Sequence, residues 1–263
     1  LDMGFIHDIK KIMALLPRQR QNLLFSATFS DDIRQLVKTF TDNPVEIDVA
    51  PRNSTLDIIK QKIHPVDKTR KTELLSHLLR TQDWYQVLVF SRTKHGADRV
   101  ARHLHQCGIQ SDAIHGNKAQ NARQRALKSF RSGHIRALVA TDIAARGIDV
   151  DGVTHVINFD LPNDPESYVH RIGRTARAGK TGMAISFCDH DERGYLRDIE
   201  KTIRQRVAVI DDHPYHSVEI ANDPGTVKRP KQRGGFKGKR RSGNGGNGQG
   251  PDHEQCQRRR HSP

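Results

Sequence analysis

The chain of 263 residues carries a formal net charge of +14 and has a pI of about 10.0, which favours a polyanionic partner. Only 35% of its residues are hydrophobic and the mean hydropathy is −0.72, so we expect part of the length to stay unpacked. No signal peptide or apolar run of membrane length is present. The cysteines Cys107, Cys188 and Cys256 form no Cys-x-x-Cys pair, which argues against a disulfide framework or zinc ribbon and fits a reducing compartment.

The first 50 residues predict two helices and two short strands. Apolar residues recur at helical spacing in residues 1–16, and a second helix is expected at 31–40 with Ser30 as its N-cap. The apolar run Asn22–Phe25 and the alternating run Val45–Val49 predict strands. Because Leu1 reads as the interior of an element, we expect the chain to be truncated at its start.

The chain then alternates between apolar strands and amphipathic helices. Helices are expected around residues 97–104 and 119–130. The predicted strands are Gln86–Phe90, Ile109–Ile114, Arg136–Thr141, Val153–Phe159 and Met183–Phe187. This alternation predicts an α/β fold with a parallel sheet buried on both faces.

Polar groups follow the ends of several of these strands. Ser91-Arg92-Thr93, His115-Gly116 and Thr141-Asp142 each come directly after an apolar run. Parallel α/β sheets bind ligands outside the carboxyl ends of their strands. We therefore expect these groups to line a binding site.

The stretch Tyr168–Gly179 places Arg171, Arg174 and Arg177 at every third position beside His170. Guanidinium groups fit phosphate oxygens, so the spacing suggests a surface that holds a polyphosphate, although a solvated basic helix end is the alternative. The following Gly-Lys-Thr is not a phosphate-binding loop. The preceding glycine is one position too far away, and a strand follows where that motif needs a helix.

Two further segments carry weaker signals. In residues 140–149, a predicted strand ends in Thr141 and small residues follow. Asp149 could accept hydrogen bonds from a ribose. Thr141 and Arg146 could hold a nucleic-acid phosphate. A turn with an N-cap aspartate explains that segment equally well. Ser26-Ala-Thr28 follows the end of a predicted strand. On its own it is a weak signal of a functional segment, because a helix cap explains it equally well.

In their joint order these segments resemble the second part of a DEAD-box RNA helicase, close to the bacterial RhlE-like branch. The matching segments are Leu1–Phe5 (after the family's Asp-Glu-Ala-Asp box), Phe25–Thr28 (motif III), Val87–Thr93 (motif IV), Gln120–Arg123 (the Gln-x-x-Arg motif), Ala140–Val150 (motif V) and Tyr168–Gly179 (motif VI). The histidine at position 170 distinguishes this family from related helicase families, which have glutamine there. Ala176 departs from the family, which more often has glycine at this position.

The resemblance implies that this half of the enzyme completes a nucleotide site. Arg174 and Arg177 would reach the γ-phosphate of ATP, with Arg177 as an arginine finger, a group worth ~10³–10⁵ in rate. Gly147 and Asp149 would contact the nucleotide from the same side. The phosphate loop and the magnesium carboxylates would precede Leu1. The cofactor, ATP with Mg²⁺, would then be hydrolysed only by the full-length protein and not by this chain alone.

The resemblance also implies contacts with RNA. The residues expected along the backbone of single-stranded RNA are Arg92, Thr93, Gly116, Arg123, Thr141 and Arg146. Backbone contacts position a strand without reading its bases, so sequence specificity should be low. Ser26, Thr28 and His170 would link hydrolysis to movement of RNA. No metal ligand is expected in this chain.

The implied organisation is the end of a first RecA-like lobe (1–50), a linker (51–57), a RecA-like helicase C-terminal domain (58–210) and a disordered basic tail (211–263). Residues 228–263 hold eleven Lys and Arg against two acidic residues, which would raise RNA affinity by neutralising phosphates, although a solubilising extension is the alternative. The protein would be cytoplasmic, without membrane contact, and ribosomal or RNA-decay assemblies stay open as partners. The alternative is a non-catalytic RNA-binding module, in which the arginines grip phosphate and no nucleotide is involved.

Overall fold

The computed structural model describes residues 6–26, 31–47, 58–145, 152–176 and 181–223. The predicted linker at 51–57, the helix cap at Ser30 and the tail beyond 223 lie outside these ranges. Among the described residues, none of the helices has the length and apolar composition that a membrane span requires. Cys107 and Cys188 are free thiols, and Cys256 lies outside the described residues.

The N-terminal segment forms the two predicted helices, α1 (Ile6–Leu15) and α2 (Asp31–Phe40). The two predicted strands are wrong: residues 22–25 and 45–47 have no regular structure, and 48–49 lie outside the described ranges. Phe25 is 88% exposed and Val45 87% exposed. An apolar run becomes a strand only when a neighbouring strand satisfies its backbone groups, and no described residue pairs with these two runs.

The rest of the described chain forms one parallel sheet of seven strands, in the order β3-β4-β2-β5-β6-β1-β7. The strands are β1 (Ile59–Pro65), β2 (Val87–Phe90), β3 (Ser111–Ile114), β4 (Ala137–Ala140), β5 (His155–Asn158), β6 (Gly182–Cys188) and β7 (Ala208–Val209). The five predicted strands are all confirmed, with bounds that differ by one or two residues. β1 was not predicted, because lysine and glutamine interrupt its apolar pattern.

Helices cover both faces of this sheet. They are α3 (Lys71–Thr81), α4 (Lys94–Gln106), α5 (Gln120–Arg131), α6 (Asp142–Ala145), α7 (Pro165–Ile172), α8 (Arg193–Ile203) and α9 (Val218–Asn222). Val87 and Val89 of β2 pack in one core cluster with α3 and α4, whereas Leu88 and Phe90 pack in another with α5. Alternate residues of a strand point to opposite faces, so β2 is apolar throughout because both of its faces are covered.

The ordered structure continues past residue 210, where the tail was expected to begin. Ile210 donates its backbone N–H to Ile63 O at 2.9 Å, and Ser217 donates to Pro65 O at 3.1 Å, so this segment is bonded to β1. Ser217 also caps α9 through its side chain, which accepts from the N–H of Ile220. Ile220 is only 3% exposed. The fold therefore extends at least to Asp223.

We predict that Ile220→Ala lowers the free energy of unfolding by about 2 kcal/mol, because it removes buried apolar volume at the end of the fold. Val218→Ala, on the exposed side of the same helix, should change it by less than about 0.5 kcal/mol. Urea unfolding of the two variants measures the difference. Equal stability of Ile220→Ala and the unmodified chain would show that α9 does not belong to the folding unit.

Candidate functional site

The polar strand ends meet at one edge of the sheet. β3, β4 and β2 are direct neighbours, and Ile114, Ala140 and Phe90 form one row across them. The residues that follow this row are His115-Gly116, Thr141-Asp142 and Ser91-Arg92-Thr93. Neighbouring strands lie about 5 Å apart, so the tertiary structure brings together three of the segments predicted to bind RNA.

The motif IV segment turns directly into α4. Thr93 is the N-cap of that helix, and its hydroxyl accepts a hydrogen bond from the N–H of Gly96 at 3.0 Å. A Cβ on Gly96 would lie 2.7 Å from Ser91 Oγ and 2.9 Å from Thr93 Oγ1, so only glycine allows this close turn. The positive end of the α4 dipole thus lies beside Arg92 and Thr93, which favours an anionic ligand there.

The segment after β3 continues the same edge. Gly116 is exposed, and Lys94 at the start of α4 donates to Asn117 Oδ1 at 3.0 Å, which ties this turn to motif IV. Arg123 is half-buried in the first turn of α5, where its Nη1 donates to Gln120 Oε1 at 3.1 Å. Residues three apart lie on one face of a helix, so the glutamine of the Gln-x-x-Arg motif orients its arginine.

Arg171 is a buried structural residue and does not belong to a phosphate-binding surface, so its grouping with the other two arginines is wrong. It is 3% exposed, and its Nε and Nη2 donate to the two carboxylate oxygens of Asp142 at 2.6 and 2.8 Å. Its Nη1 donates to Asn158 Oδ1 and to Asp160 O, at 3.2 and 2.7 Å. Arg171 lies within α7 whereas Arg174 lies in the turn after it, so their spacing in the sequence does not decide which arginine is buried.

The Arg171–Asp142 pair fixes α7 against β4, the strand that directly precedes Thr141. Thr141 is 8% exposed, and Asp142 begins the short helix α6 directly after it. Asp164 is the N-cap of α7 and accepts from the N–H groups of Glu166 and Ser167, and Pro165 is the first residue of the helix. His170 is exposed on the last turn of α7, and Arg174 is half-buried in the turn that follows.

Ala176 has a left-handed backbone conformation, with φ of 56°. That conformation costs an L-residue roughly 1–2 kcal/mol, whereas glycine adopts it freely. This explains physically why glycine would be favoured at this position, where the sequence departs from the family pattern.

A second buried polar cluster lies at the ends of β5 and β6. Lys71, fully buried at the start of α3, places Nζ 2.5 Å from Glu192 Oε2 and 2.9 Å from Asp189 Oδ2. Burial alone would lower the pKa of Lys71, but the carboxylates of Glu192 and Asp189 outweigh it and raise that pKa, which keeps the ammonium charged. Burial raises the pKa of the Glu192 carboxyl, and Lys71 counteracts this.

This cluster does not suit Mg²⁺. Arg92 donates its Nη2 to Glu192 Oε1 at 2.8 Å, and Asp160 Oδ2 accepts from Ser91 Oγ and from the N–H of Arg92. Each of the three carboxylates, those of Asp160, Asp189 and Glu192, thus already has an oxygen bound to a cation or an N–H donor. Within the described ranges, no group of three or more His, Cys, Asp and Glu side chains could hold a metal ion.

Five predicted site residues lie outside the described ranges, namely Thr28, Arg146, Gly147, Asp149 and Arg177. Ser26 is exposed at the end of a described segment without regular structure. The sequence analysis missed Lys71 and Glu192. Since 121 positions separate them, no local pattern could have indicated that they meet.

Comparisons with known proteins agree with this geometry. Residues 70–179 match the helicase conserved C-terminal domain. The ATP-dependent RNA helicase CshA of Listeria monocytogenes is 47% identical over 207 residues, which cover 79% of this chain and 40% of that protein. Among solved structures, the E. coli DEAD-box protein SrmB, bound to regulator of ribonuclease activity A, is 37% identical with a TM-score of 0.54, over 58% of this chain and 90% of that one. S. cerevisiae Dbp5, bound to RNA and ADP BeF3, is 31% identical with a TM-score of 0.73, over 79% of this chain and 56% of that one.

The parallel sheet, its polar edge and the domain match define a RecA-like helicase C-terminal domain. The chain belongs to the DEAD-box ATP-dependent RNA helicases, because it covers 90% of the SrmB chain at 37% identity and resembles CshA at 47%. It spans 40% of the length of the Listeria relative. Its placement near the RhlE-like branch stays a prediction.

We predict that Asp142→Asn lowers the free energy of unfolding by about 2–3 kcal/mol. An amide presents one acceptor and one donor group to two guanidinium donors, so buried Arg171 loses an ionic partner. Asp198→Asn, an exposed position on α8, should change it by less than about 0.5 kcal/mol. Chemical unfolding compares the two, and matching curves would contradict a structural role for the Asp142–Arg171 pair.

Proposed function

We propose that the full-length protein is an ATP-dependent RNA helicase that remodels RNA duplexes as two RecA-like lobes close around ATP and RNA. The supporting observation is the shared edge of β3, β4 and β2, where residues of motif IV and motif V and the turn after β3 lie side by side. These neighbours suit one continuous strand of phosphates. The structure of the relative Dbp5 contains RNA together with ADP BeF3, which fits both ligands of this proposal.

We propose that single-stranded RNA runs along this edge. Arg92 and Arg123 supply guanidinium donors to the phosphates. Gly116 lets the RNA backbone approach closely, and Thr141 offers a hydroxyl to it. The start of α4 adds the positive end of its dipole. Arg146 follows α6 and completes the proposed set, although it lies outside the described residues. Because all of these groups suit phosphate or sugar, the protein should bind different base sequences with similar affinity.

The nucleotide is proposed to lie on the motif VI side. α7 is held rigidly by Arg171, so the turn that carries Arg174 has a fixed position relative to the end of β4. Arg174 and Arg177 would stabilise negative charge on the γ-phosphoryl group during transfer, and Gly147 and Asp149 would contact the nucleotide. His170, together with Ser26 and Thr28, would couple hydrolysis to movement of RNA.

We propose that this chain alone hydrolyses no ATP. Its sequence holds neither G-x-x-x-x-G-K-[ST] nor Asp-Glu-Ala-Asp, and the carboxylates of Glu192 and Asp142 are committed to Lys71, Arg92 and Arg171. ATP with Mg²⁺ would therefore be held mainly by the other lobe. The protein would work in the cytoplasm, and ribosomal or RNA-decay assemblies are candidate settings.

We predict that Arg174→Ala/Arg177→Ala in the full-length protein reduces RNA-stimulated ATP turnover by at least about 10³-fold, since an arginine finger contributes that much. RNA affinity should change by less than about threefold. Steady-state ATPase and fluorescence anisotropy measure the two quantities. Arg206→Ala is the matched control: this exposed arginine, paired with Glu200, precedes the opposite edge strand β7.

The same double variant separates the helicase from the non-catalytic RNA-binding module. That alternative requires the arginines to grip RNA, so their loss would abolish RNA binding and there would be no ATPase to lose. Unchanged ATP turnover in Arg174→Ala/Arg177→Ala would contradict the proposed nucleotide site.

We predict that Arg92→Ala and Arg123→Ala each weaken binding of a single-stranded oligoribonucleotide and each reduce the slope of log K against log salt by about 0.7, the contribution of one phosphate contact. Oligo(U) and oligo(A) should be affected alike, since phosphate contacts do not read bases. Anisotropy titrations between low and moderate salt measure both, with Arg206→Ala as control. A slope that stays unchanged in both variants would place the RNA elsewhere.

A further inference from the structure

We infer that Glu192 is a positioning residue for RNA, because it holds Nη2 of the Arg92 guanidinium and leaves the N–H groups of Nε and Nη1 to bind a phosphate. This inference rests on the proposed RNA contact of Arg92. Glu192 lies outside every motif that the sequence indicated, in a short 3₁₀ turn before α8. Its effect would reach RNA only through Arg92.

The side chain of Arg92 is anchored at one nitrogen. Its Nη2 donates to Glu192 Oε1 at 2.8 Å and to Leu161 O at 2.9 Å. Within the described ranges, no hydrogen bond involves its Nε or Nη1. The side chain is still 47% exposed. A phosphate oxygen can therefore accept from the N–H group of Nε or from those of Nη1 while Nη2 stays bound.

The ring of Tyr195 supports the same orientation. The guanidinium carbon of Arg92 lies 5.6 Å from the centroid of that ring, within the range of a cation–π contact. A guanidinium fixed by an anchor and a ring loses little rotamer freedom when it binds a phosphate. An arginine on an otherwise open surface would have to lose that freedom on binding.

Glu192 is itself fixed. Its side chain is 2% exposed, and its two oxygens accept from four donors: Arg92 Nη2, the Leu161 N–H, Lys71 Nζ and the Asp189 N–H. Lys71 is buried completely and holds the second oxygen at 2.5 Å. The carboxylate therefore cannot turn away to follow Arg92, and the guanidinium adopts the orientation that Glu192 sets.

The backbone of Arg92 has a separate anchor. Asp160 Oδ2 accepts from the N–H of Arg92 at 2.8 Å and from Ser91 Oγ at 3.1 Å. A change at Glu192 should thus release the tip of the Arg92 side chain without displacing the loop that carries Thr93. This separation makes the role of Glu192 testable.

The test is the affinity of the 263-residue chain for a fluorescein-labelled oligo(U), measured by anisotropy in Glu192→Gln. Glutamine offers one acceptor oxygen and an NH₂ group, so either Lys71 or Arg92 then loses its carboxylate oxygen. We expect affinity to fall about three- to tenfold, the range for weakening one charge-assisted contact. Loss of one negative charge by itself would instead strengthen RNA binding, so the sign of the change separates positioning from net charge.

Asp191→Asn is the matched control. It removes the same charge from the adjacent residue, whose carboxylate is exposed and pairs only with exposed Lys68 at 3.4 Å among the described residues. Its affinity for oligo(U) should equal or slightly exceed that of the unmodified chain. Thermal unfolding of both variants shows whether they fold.

A double-mutant cycle with Arg92→Ala completes the test. Because Glu192 acts through Arg92, Glu192→Gln should cause no further loss of affinity in the Arg92→Ala background. An additive loss, or an affinity of Glu192→Gln equal to or above that of the unmodified chain, overturns the inference while the RNA site stands. If Arg92→Ala alone binds oligo(U) normally, the proposed RNA contact fails and the inference fails with it.

A measurement on the unmodified chain covers the case in which Glu192→Gln does not fold. The arginines are labelled with ¹⁵N, and the signals of the Arg92 guanidinium are assigned by their absence from the spectrum of Arg92→Lys. We expect its Nη groups to rotate slowly. Its Nε signal should shift when oligo(U) is added. Free rotation like that of exposed Arg125 would overturn the inference.

Discussion

The guanidinium of Arg171 joins the parts of the structure on which the proposed function depends. It bonds to Asp142 at the end of β4, to Asn158 at the end of β5 and to the backbone of Asp160, while it is itself part of α7. The helix that leads to Arg174 and the strand that leads to Thr141 thus share one rigid link. A shift of α7 cannot occur without a response at the edge proposed to bind RNA.

Asp160 extends this link to a second cluster. Its backbone carbonyl accepts from Arg171, and its carboxylate accepts from the motif IV segment. Motif IV is joined in turn to Glu192 and Lys71 through the side chain of Arg92. A continuous set of hydrogen bonds therefore runs beneath the polar edge of the sheet, from the start of α3 to α7. Such a network suits a domain that must present several phosphate-binding groups in fixed relative positions.

This network is better explained by geometry than by stability. Burial of Lys71 and Glu192 has a desolvation penalty that their mutual attraction offsets only when the remaining donors and acceptors are satisfied. Apolar residues of similar size could fill the same space. They could not hold Nη2 of Arg92 or fix the end of β5, so the ions contribute orientation at the place proposed to bind RNA.

The sequence by itself determined the α/β class, five of the seven strands of the described sheet and the motifs of the family. The periodicity of apolar residues and the position of apolar runs are local properties of the sequence. The strand Val87–Phe90 and the helix α4 could therefore be predicted at the positions where the structure has them. The local pattern failed where strand formation depends on a neighbouring strand. Asn22–Phe25 has the composition of a strand but pairs with no described strand. β1 is a strand despite its interrupted apolar pattern, because β6 and β7 pair with it. The tertiary structure alone decided that Arg171 is buried and that Lys71 meets Glu192, since contacts between residues far apart in the chain depend on how helices pack on the sheet.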